Sequence, residues 1–209
     1  MTKCKKVFSN PFFILILAVY STWILQACHN KINKKSKYYN NSFGEEKEKA
    51  IGQLSILSKK INNTYLDSTV LLENFMSGQQ NSIRQLVKKG DKLIFQYSEL
   101  NCDVCVDSAL IHFKEFALKH DKRRSMIIAA SSNRRYMANF IRENKLRNLD
   151  VYLVNIVDFR RLYAYDLGMP FIYTTNNSLQ ISNAFVPAKE FPDISQVYYS
   201  GVVNKLFVK

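Results

Sequence analysis

Hydrophobic residues follow two periods along the chain, and the change from one to the other separates predicted strands from predicted helices. Short apolar runs rich in β-branched and aromatic residues predict strands at 69–72, 93–97, 125–130, 150–154, 171–175 and 179–185. Apolar residues at helical spacing predict helices at 45–61, 102–117 and 133–144. We also expect a short helix at 82–88 before Gly90, a helical turn at 158–165, and a last helix from Asp193 or Ser195 toward Phe207. This order, βαβαβ followed by ββα, predicts an α/β sandwich around a mixed sheet.

A pair of cysteines lies where the apolar run 93–97 passes into the next predicted helix. Asn101 is the predicted N-cap, which places Cys102 in the first turn. The free N–H groups and the positive end of the helix dipole favour an anion there, so a thiol in this position ionises more easily. Cys105 lies almost one turn further along, close enough to form a disulfide with Cys102. We therefore expect Cys102 to be the nucleophile and Cys105 the resolving thiol.

The order of elements resembles the thioredoxin fold: a strand, a C-x-x-C motif at a helix start, a βαβ unit and then Pro170 opening a final ββα. Within that fold, residues from about 69 to 208 are similar to the extracytoplasmic, membrane-tethered thiol-disulfide oxidoreductases of the TlpA and ResA type. The resemblance implies a thioredoxin-like three-layer α/β sandwich with a central mixed β-sheet. It also implies that Cys102 attacks, that Cys105 resolves and that Pro170 is a cis-proline whose loop faces the dithiol.

The resemblance further implies where a substrate binds. Leu100, Met169 and Pro170 would line a cleft beside Cys102. A cis bond at Pro170 would interrupt strand pairing at Met169 and leave its backbone groups free to hold an extended peptide. The expected partners are protein thiols or disulfides and an upstream redox donor that restores the dithiol, and no cofactor is expected.

Residues around the dithiol differ from the usual pattern of these oxidoreductases. Asn101 stands in place of a Trp, and residues 103–104 are Asp-Val rather than Gly-Pro or Glu-Pro. Gln96 occupies the position of a buried carboxylate that accepts the proton of the resolving thiol, and Glu99 is either a substitute that acts through water or an exposed loop residue. The negative charge at position 103 opposes thiolate formation on Cys102. We expect a weakly acidified thiol and a reducing rather than strongly oxidising couple.

Two functions are compatible with this pattern. The first is a thiol-disulfide oxidoreductase. The second is a non-catalytic thioredoxin-like lipoprotein that binds a partner or substrate at the cis-Pro face and keeps Cys102 and Cys105 as a static disulfide or an unused pair. Zinc binding is not expected, because it needs two further ligands and His112 lies two helical turns, about 10 Å, beyond Cys105.

The N-terminal residues predict a secretory signal, because three lysines precede the apolar run 12–25. The sequence Leu-Gln-Ala-Cys at 25–28 resembles a bacterial lipobox, with Cys28 as the lipidated N-terminus. The alternatives are an uncleaved anchor over 11–28, or ordinary cleavage with Cys28 as a bystander. Each places the domain outside the cytoplasm, and lipidation would hold it on a membrane, facing the periplasm or the cell exterior.

The predicted organisation has four parts: a signal peptide with lipobox (1–27), a flexible tether (28–44), an amphipathic helix (45–66) and a thioredoxin-like domain (67–209). Of the 209 residues, 47% are hydrophobic and 13% aromatic, which is typical of a packed domain. The net charge is +13, but the basic residues are scattered in pairs and form no stripe with interleaved aromatic residues. Nucleic-acid binding is therefore not expected.

Overall fold

The computed structural model describes residues 47–49, 51–88, 90–120, 122–162 and 168–203. The predicted signal peptide, the lipidated Cys28 and the tether lie outside these residues. The chain divides into two compact units, 1–52 and 53–209, and the described residues of the first unit are helical. Within the described ranges, no helix combines the length and the apolar character needed to cross a bilayer.

A mixed sheet forms the centre of the second unit. Its described strands are β1 (Leu71–Asn74), β2 (Gln80–Ser82), β3 (Lys92–Ser98), β4 (Ser125–Ala130), β5 (Asp150–Val154), β6 (Phe171–Thr175) and β7 (Ile181–Phe185). They lie in the order β2-β1-β5-β4-β3-β6-β7. Strands β3, β4 and β5 run parallel, whereas β6 is antiparallel to β3 and β1 is antiparallel to β5. The predicted α/β fold with a central mixed sheet is therefore confirmed.

Helices cover both faces of this sheet. They are α1 (51–61, of which 53–61 belongs to this unit), α2 (Ile83–Val87), α3 (Asp103–Lys119), α4 (Arg134–Glu143), α5 (Ile156–Leu162) and α6 (Pro192–Val197), which continues as a π-helical segment, Tyr198–Val203. Side chains alternate along β3, so Ile94 joins a core with α1, α2 and α5, whereas Phe95 joins a core with α3, α4 and the π-helical segment. The expected three-layer sandwich is present, and β3 lies in the sheet that forms its middle layer.

Some element boundaries differ from the predictions. The helix predicted over 45–61 ends at residue 61, where Asn63 adopts a left-handed φ of 67° and the Thr64 hydroxyl donates to the Ile61 carbonyl at 2.7 Å, so residues 62–66 of the segment assigned to 45–66 are not helical. Strand β2 was not predicted, because it is short and polar and has no apolar run to reveal it. The predicted end of the last helix at Phe207 lies outside the described residues.

Candidate active site

The loop between β3 and α3 is held by hydrogen bonds among its own residues. The N–H of Asn101 donates to the Ser98 carbonyl at 2.9 Å, and the N–H of Ser98 donates to Asn101 Oδ1 at 2.9 Å. The N–H of Leu100 donates to Ser98 Oγ at 3.2 Å. Ser98 and Asn101 are both buried. The loop therefore leaves the sheet in one defined conformation and presents Cys102 at the start of α3.

Cys102 is the N-cap of α3, so the predicted cap at Asn101 is wrong by one residue. Cys102 has extended φ and ψ of −61° and 120°, and its carbonyl accepts from the N–H groups of Cys105 at 2.9 Å and Val106 at 3.0 Å. Asn101 cannot cap the helix because its amide oxygen is bonded to Ser98. The thiol still lies at the free N–H groups and the positive dipole end of α3, a position that favours the thiolate.

The two thiols differ in exposure and in acidity. Both are free, with Cys102 exposed and Cys105 half-buried. The pKa of Cys102 is lowered, first by a hydrogen bond from the Cys105 thiol and then by one from the Cys105 N–H, with smaller contributions from the Val104 N–H and the charge of Lys189. The pKa of Cys105 is raised, first by burial and then by its hydrogen bond to Cys102. This is the asymmetry that a nucleophile and a resolving thiol require.

Charged groups reach the dithiol region from two other parts of the fold. Lys189, in the connection between β7 and α6, is exposed, and its Nζ lies 3.9 Å from Glu190 Oε1. Its charge lowers the pKa of both thiols. The Asp103 carboxylate is directed toward α4, where it accepts a 3.4 Å hydrogen bond from the Tyr136 hydroxyl. Lys189 was not among the predicted site residues, because no local pattern links it to the cysteines. The position of its loop after the final hairpin is the one sequence signal that points to it.

The position expected to hold a proton acceptor contains an amide. Gln96 lies inside the sheet with 1% of its surface exposed, and its Oε1 accepts a 2.7 Å hydrogen bond from the buried Tyr173 hydroxyl. Burial raises the pKa of Tyr173, so the phenol remains a donor. Glu99, the other candidate acceptor, is half-buried and accepts from Ser131 Oγ at 2.5 Å and Ser132 Oγ at 3.3 Å. Glu99 therefore links the loop after β3 to the loop after β4.

The three residues expected to bind substrate lie at one edge of the sheet. Strand β6 is antiparallel to β3 with Phe171 opposite Gln96, so Met169 and Pro170 precede β6 at the edge where β3 ends. Leu100 is 70% exposed, Met169 is half-buried and Pro170 is buried. We call the edge formed by Leu100, Met169 and Pro170 the Pro170 edge. Leu100 exposes the most apolar surface of the three.

The expectation of a cis-proline is wrong for this structure. The peptide bond between Met169 and Pro170 is trans, and no peptide bond of the described ranges is cis. The trans form is favoured before proline by about 0.5–1 kcal/mol. Gly168, with a φ of 61°, supplies a left-handed residue just before this trans bond. The predicted cis-Pro face is therefore an edge that contains a trans proline.

Comparison with known proteins identifies the fold. No protein-family model and no curated protein matches the chain. Among solved structures, it is similar to the thioredoxin domain of a thiol-disulfide oxidoreductase from Bacteroides vulgatus, with a TM-score of 0.54 and 11% identity over 70% of this chain and 97% of that chain. It is also similar to a thiol:disulfide interchange protein from a Bacteroides species, with a TM-score of 0.50 and 12% identity over 68% of this chain and 93% of that chain.

A third similar structure is a candidate protein disulfide isomerase from Bacteroides thetaiotaomicron, with a TM-score of 0.52 and 15% identity over 71% of this chain and 91% of that chain. At sequence identities this low, the structural match shows a shared architecture and not a shared activity. The architecture shared with these three structures agrees with the element order predicted above. The chain therefore has a thioredoxin-like fold.

Proposed function

We propose that this protein is a thiol-disulfide oxidoreductase that reduces disulfide bonds in other proteins. The observation that carries the proposal is the asymmetry of the two thiols at the start of α3. Cys102 is exposed with a lowered pKa, and Cys105 is half-buried with a raised pKa. The similar Bacteroides structures described as thiol-disulfide oxidoreductase and thiol:disulfide interchange protein share this fold, which is compatible with the proposal.

The reaction needs two exchanges of sulfur partners. The Cys102 thiolate attacks one sulfur of a substrate disulfide, which forms a mixed disulfide and releases the other substrate sulfur as a thiolate that takes a proton from water. Cys105 loses its proton to solvent and attacks Cys102 Sγ, which releases the second substrate thiol and leaves a Cys102–Cys105 disulfide. The substrate gains two electrons and the dithiol loses two, so a second dithiol protein must reduce the pair again.

The electrostatics near Cys102 favour the reducing direction. The influences that lower its pKa are hydrogen bonds within the motif, and Lys189 is the charged group among them. Weak stabilisation of the Cys102 thiolate adds little to the stability of the reduced dithiol. This favours a reduction potential of the Cys102–Cys105 pair nearer to about −270 mV than to about −120 mV. Equilibration of the protein with glutathione redox buffers measures this potential.

Cys102→Ser and Cys105→Ser form a matched pair of variants that tests the mechanism. In an insulin-reduction assay we expect both to be inactive, because each lacks one thiol of the pair. Only Cys105→Ser should accumulate a mixed disulfide with a substrate, because it can attack but cannot resolve. A full-length Cys102→Ser chain that traps substrate, or a wild-type chain that does not turn over, would argue against the proposal.

A second candidate function is a non-catalytic domain that binds a partner at the Pro170 edge. The observation that favours it is the buried Gln96, bonded to Tyr173 where a proton acceptor is expected. The exposed side chains of Leu100 and Val104 would supply the apolar contact. If binding of a partner survives in Cys102→Ser while the wild type reduces no disulfide, this function replaces the first.

We further propose that Cys28 carries a lipid and that the domain faces the periplasm or the cell exterior. The lysines, the apolar run and the Leu-Gln-Ala-Cys sequence before the polar tether support this placement. Partition of the expressed protein into a detergent phase tests it. The wild type should enter the detergent phase, and Cys28→Ser should retain a longer N-terminal segment because the lipoprotein signal is not processed.

A further inference from the structure

A row of three apolar side chains lies along the outer face of α3 and begins between the two cysteines. Val104, Ile111 and Leu118 expose 60%, 51% and 49% of their surfaces. They follow one another at intervals of seven residues, almost two helical turns, so they lie on one side of the helix, opposite to buried residues such as Phe113. We call this row the α3 stripe. It extends about 21 Å along the helix.

The α3 stripe is continuous with the dithiol. Val104 lies in the motif itself, and Leu100, in the loop before α3, is also exposed. A substrate disulfide at Cys102 therefore brings the neighbouring residues of the substrate beside Val104. Ile111 lies about 10 Å further along α3, so a segment of several residues reaches it and a small disulfide does not.

A groove of about 410 Å³ runs between α3 and α4 on one side of the stripe. Asp103 and Asp107 line it, on the turns of α3 nearest the dithiol. Asp107 follows Val104 by three residues and precedes Ile111 by four, so its carboxylate adjoins the stripe. Within the described ranges, neither aspartate forms an ion pair with a lysine or arginine. The pKa of Tyr136, which also lines the groove, is raised first by burial and then by the charge of Asp103.

The end of the groove away from the dithiol holds charges of both signs. Glu143 lies there, with its Oε1 3.9 Å from an Arg142 side-chain nitrogen. The Lys114 ammonium donates to the Asn144 carbonyl at 3.2 Å. The net negative charge of the groove therefore lies next to the dithiol.

Charge and size indicate which partner this surface fits. The chain as a whole carries a net charge of +13, so two carboxylates without an ion pair are unlike its average surface. Because opposite charges across an interface steer encounter and orientation, this acidic edge favours a basic partner over a second copy of this basic chain. Three apolar side chains, each about half exposed, fall well short of the roughly 600 Å² per partner that a stable complex buries. That area suits a transient redox encounter.

We propose that the α3 stripe, together with Asp103 and Asp107, binds the protein substrate transiently, and that this substrate carries an apolar segment with lysine or arginine residues next to its disulfide. The apolar side chains of the segment lie along the stripe, and its cations lie at the two carboxylates. This inference rests on the proposed reductase function, because it names the class of protein that the dithiol reduces.

Four disulfide compounds test the proposal on the reduced full chain in detergent micelles. One is neutral hydroxyethyl disulfide. The others are peptides that share one disulfide and differ in the segment beside it: leucines with lysines, serines with lysines, and leucines with glutamates. We expect the leucine–lysine peptide to oxidise the dithiol fastest, by about 3- to 10-fold over each of the other peptides. Equal rates with the three peptides would overturn the docking proposal and leave the reductase function standing, whereas no reaction with any compound would overturn both.

Ile111→Ser and Val157→Ser are matched variants for the stripe. Each removes an exposed apolar side chain from a helix, but Val157 belongs to α5, on the opposite face of the sheet. Ile111→Ser should lower the ratio of the leucine–lysine peptide rate to the hydroxyethyl disulfide rate by about 3- to 10-fold. Val157→Ser should leave this ratio unchanged. If the full chain sediments as a dimer that Ile111→Ser dissociates, a second copy occupies the stripe and the proposal is wrong.

Asp107→Asn and Asp91→Asn are matched variants for the charge. Asp91 is exposed and precedes β3, at the end of the strand away from the dithiol. Asp107→Asn should lower the ratio of the leucine–lysine rate to the leucine–glutamate rate by about 2- to 5-fold in low salt and have no effect at about 1 M salt. Asp91→Asn should not change the ratio. Wild-type ratios in both Ile111→Ser and Asp107→Asn would show that substrates do not bind along α3.

Discussion

The Tyr173 hydroxyl donates a 2.7 Å hydrogen bond to Gln96 Oε1 inside the sheet. Both side chains are buried, on the neighbouring strands β3 and β6. A neutral amide therefore occupies the place where the resemblance to membrane-tethered oxidoreductases implies a carboxylate. The bond satisfies the buried amide oxygen and stabilises the strand that carries the dithiol loop.

Removal of this hydrogen bond should destabilise the protein, whereas removal of the Tyr199 hydroxyl should not. We expect Tyr173→Phe to lower the free energy of unfolding by about 1–3 kcal/mol, because it leaves a buried amide oxygen unsatisfied. Tyr199→Phe removes a hydroxyl with no partner among the described residues and should leave stability unchanged or raised. Urea unfolding of the two variants measures the difference. Equal losses of stability would contradict the hydrogen-bond assignment.

The pKa shifts of the two thiols predict a pH profile for their alkylation. Because only the thiolate reacts and the pKa of Cys102 is lowered, its alkylation by iodoacetamide should reach half of its maximal rate at a lower pH than that of an ordinary cysteine. Cys105, with a raised pKa, should react at a higher pH and more slowly. Mass spectrometry of the two peptides follows both rates.

Cys105→Ala separates the main cause from the others. It removes the thiol hydrogen bond that lowers the pKa of Cys102 most, so the Cys102 profile should move to higher pH. In Cys102→Ala the profile of Cys105 should move to lower pH, because the hydrogen bond to Cys102, the second cause of its raised pKa after burial, is gone. A Cys102 midpoint far below pH 6 in the wild type would contradict the weakly acidified thiol and the reducing direction.

Lys189 should act on the thiols through its charge alone. Lys189→Met is expected to raise the pKa of both cysteines slightly, since the lysine charge lowers both. The effect should disappear at about 1 M salt, where charges at an exposed site are screened within about 3 Å. Lys122→Met removes the same charge in a different part of the surface and serves as the control. A shift that persists in high salt would indicate a structural effect of the substitution.

Asn101 should hold the dithiol loop in position. Asn101→Ala leaves the buried Ser98 N–H without its acceptor, so we expect a loss of about 1–3 kcal/mol in the free energy of unfolding. We also expect slower disulfide exchange by Cys102, because the loop before it is no longer held. Asn101→Asp keeps the acceptor oxygen, so its free energy of unfolding and its rate of disulfide exchange should fall less. If Asn101→Ala unfolds at the same urea concentration as the wild type, the loop does not depend on this bond.

The periodicity of the sequence was sufficient to predict the strands with apolar runs, most of the helices and the place of the dithiol at the start of α3. Each of these depends on neighbours a few residues apart, such as the buried positions Val106, Leu110 and Phe113 on one face of α3. Local hydrogen bonding decided details that the pattern could not. The Asn101 side chain accepts from the Ser98 N–H, so Cys102 is the cap of α3, and the bond before Pro170 is trans.

The sequence by itself therefore determined the order of elements, the α/β class and the position of the two cysteines at the start of a helix. Only the tertiary structure decided what surrounds them. It brought the loop of Lys189 near the thiols, paired Gln96 with Tyr173 across two strands, and buried the Tyr199 ring against Phe116 of α3. These relationships join residues far apart in the chain, and periodicity reports which face of an element is buried but not which partner covers it.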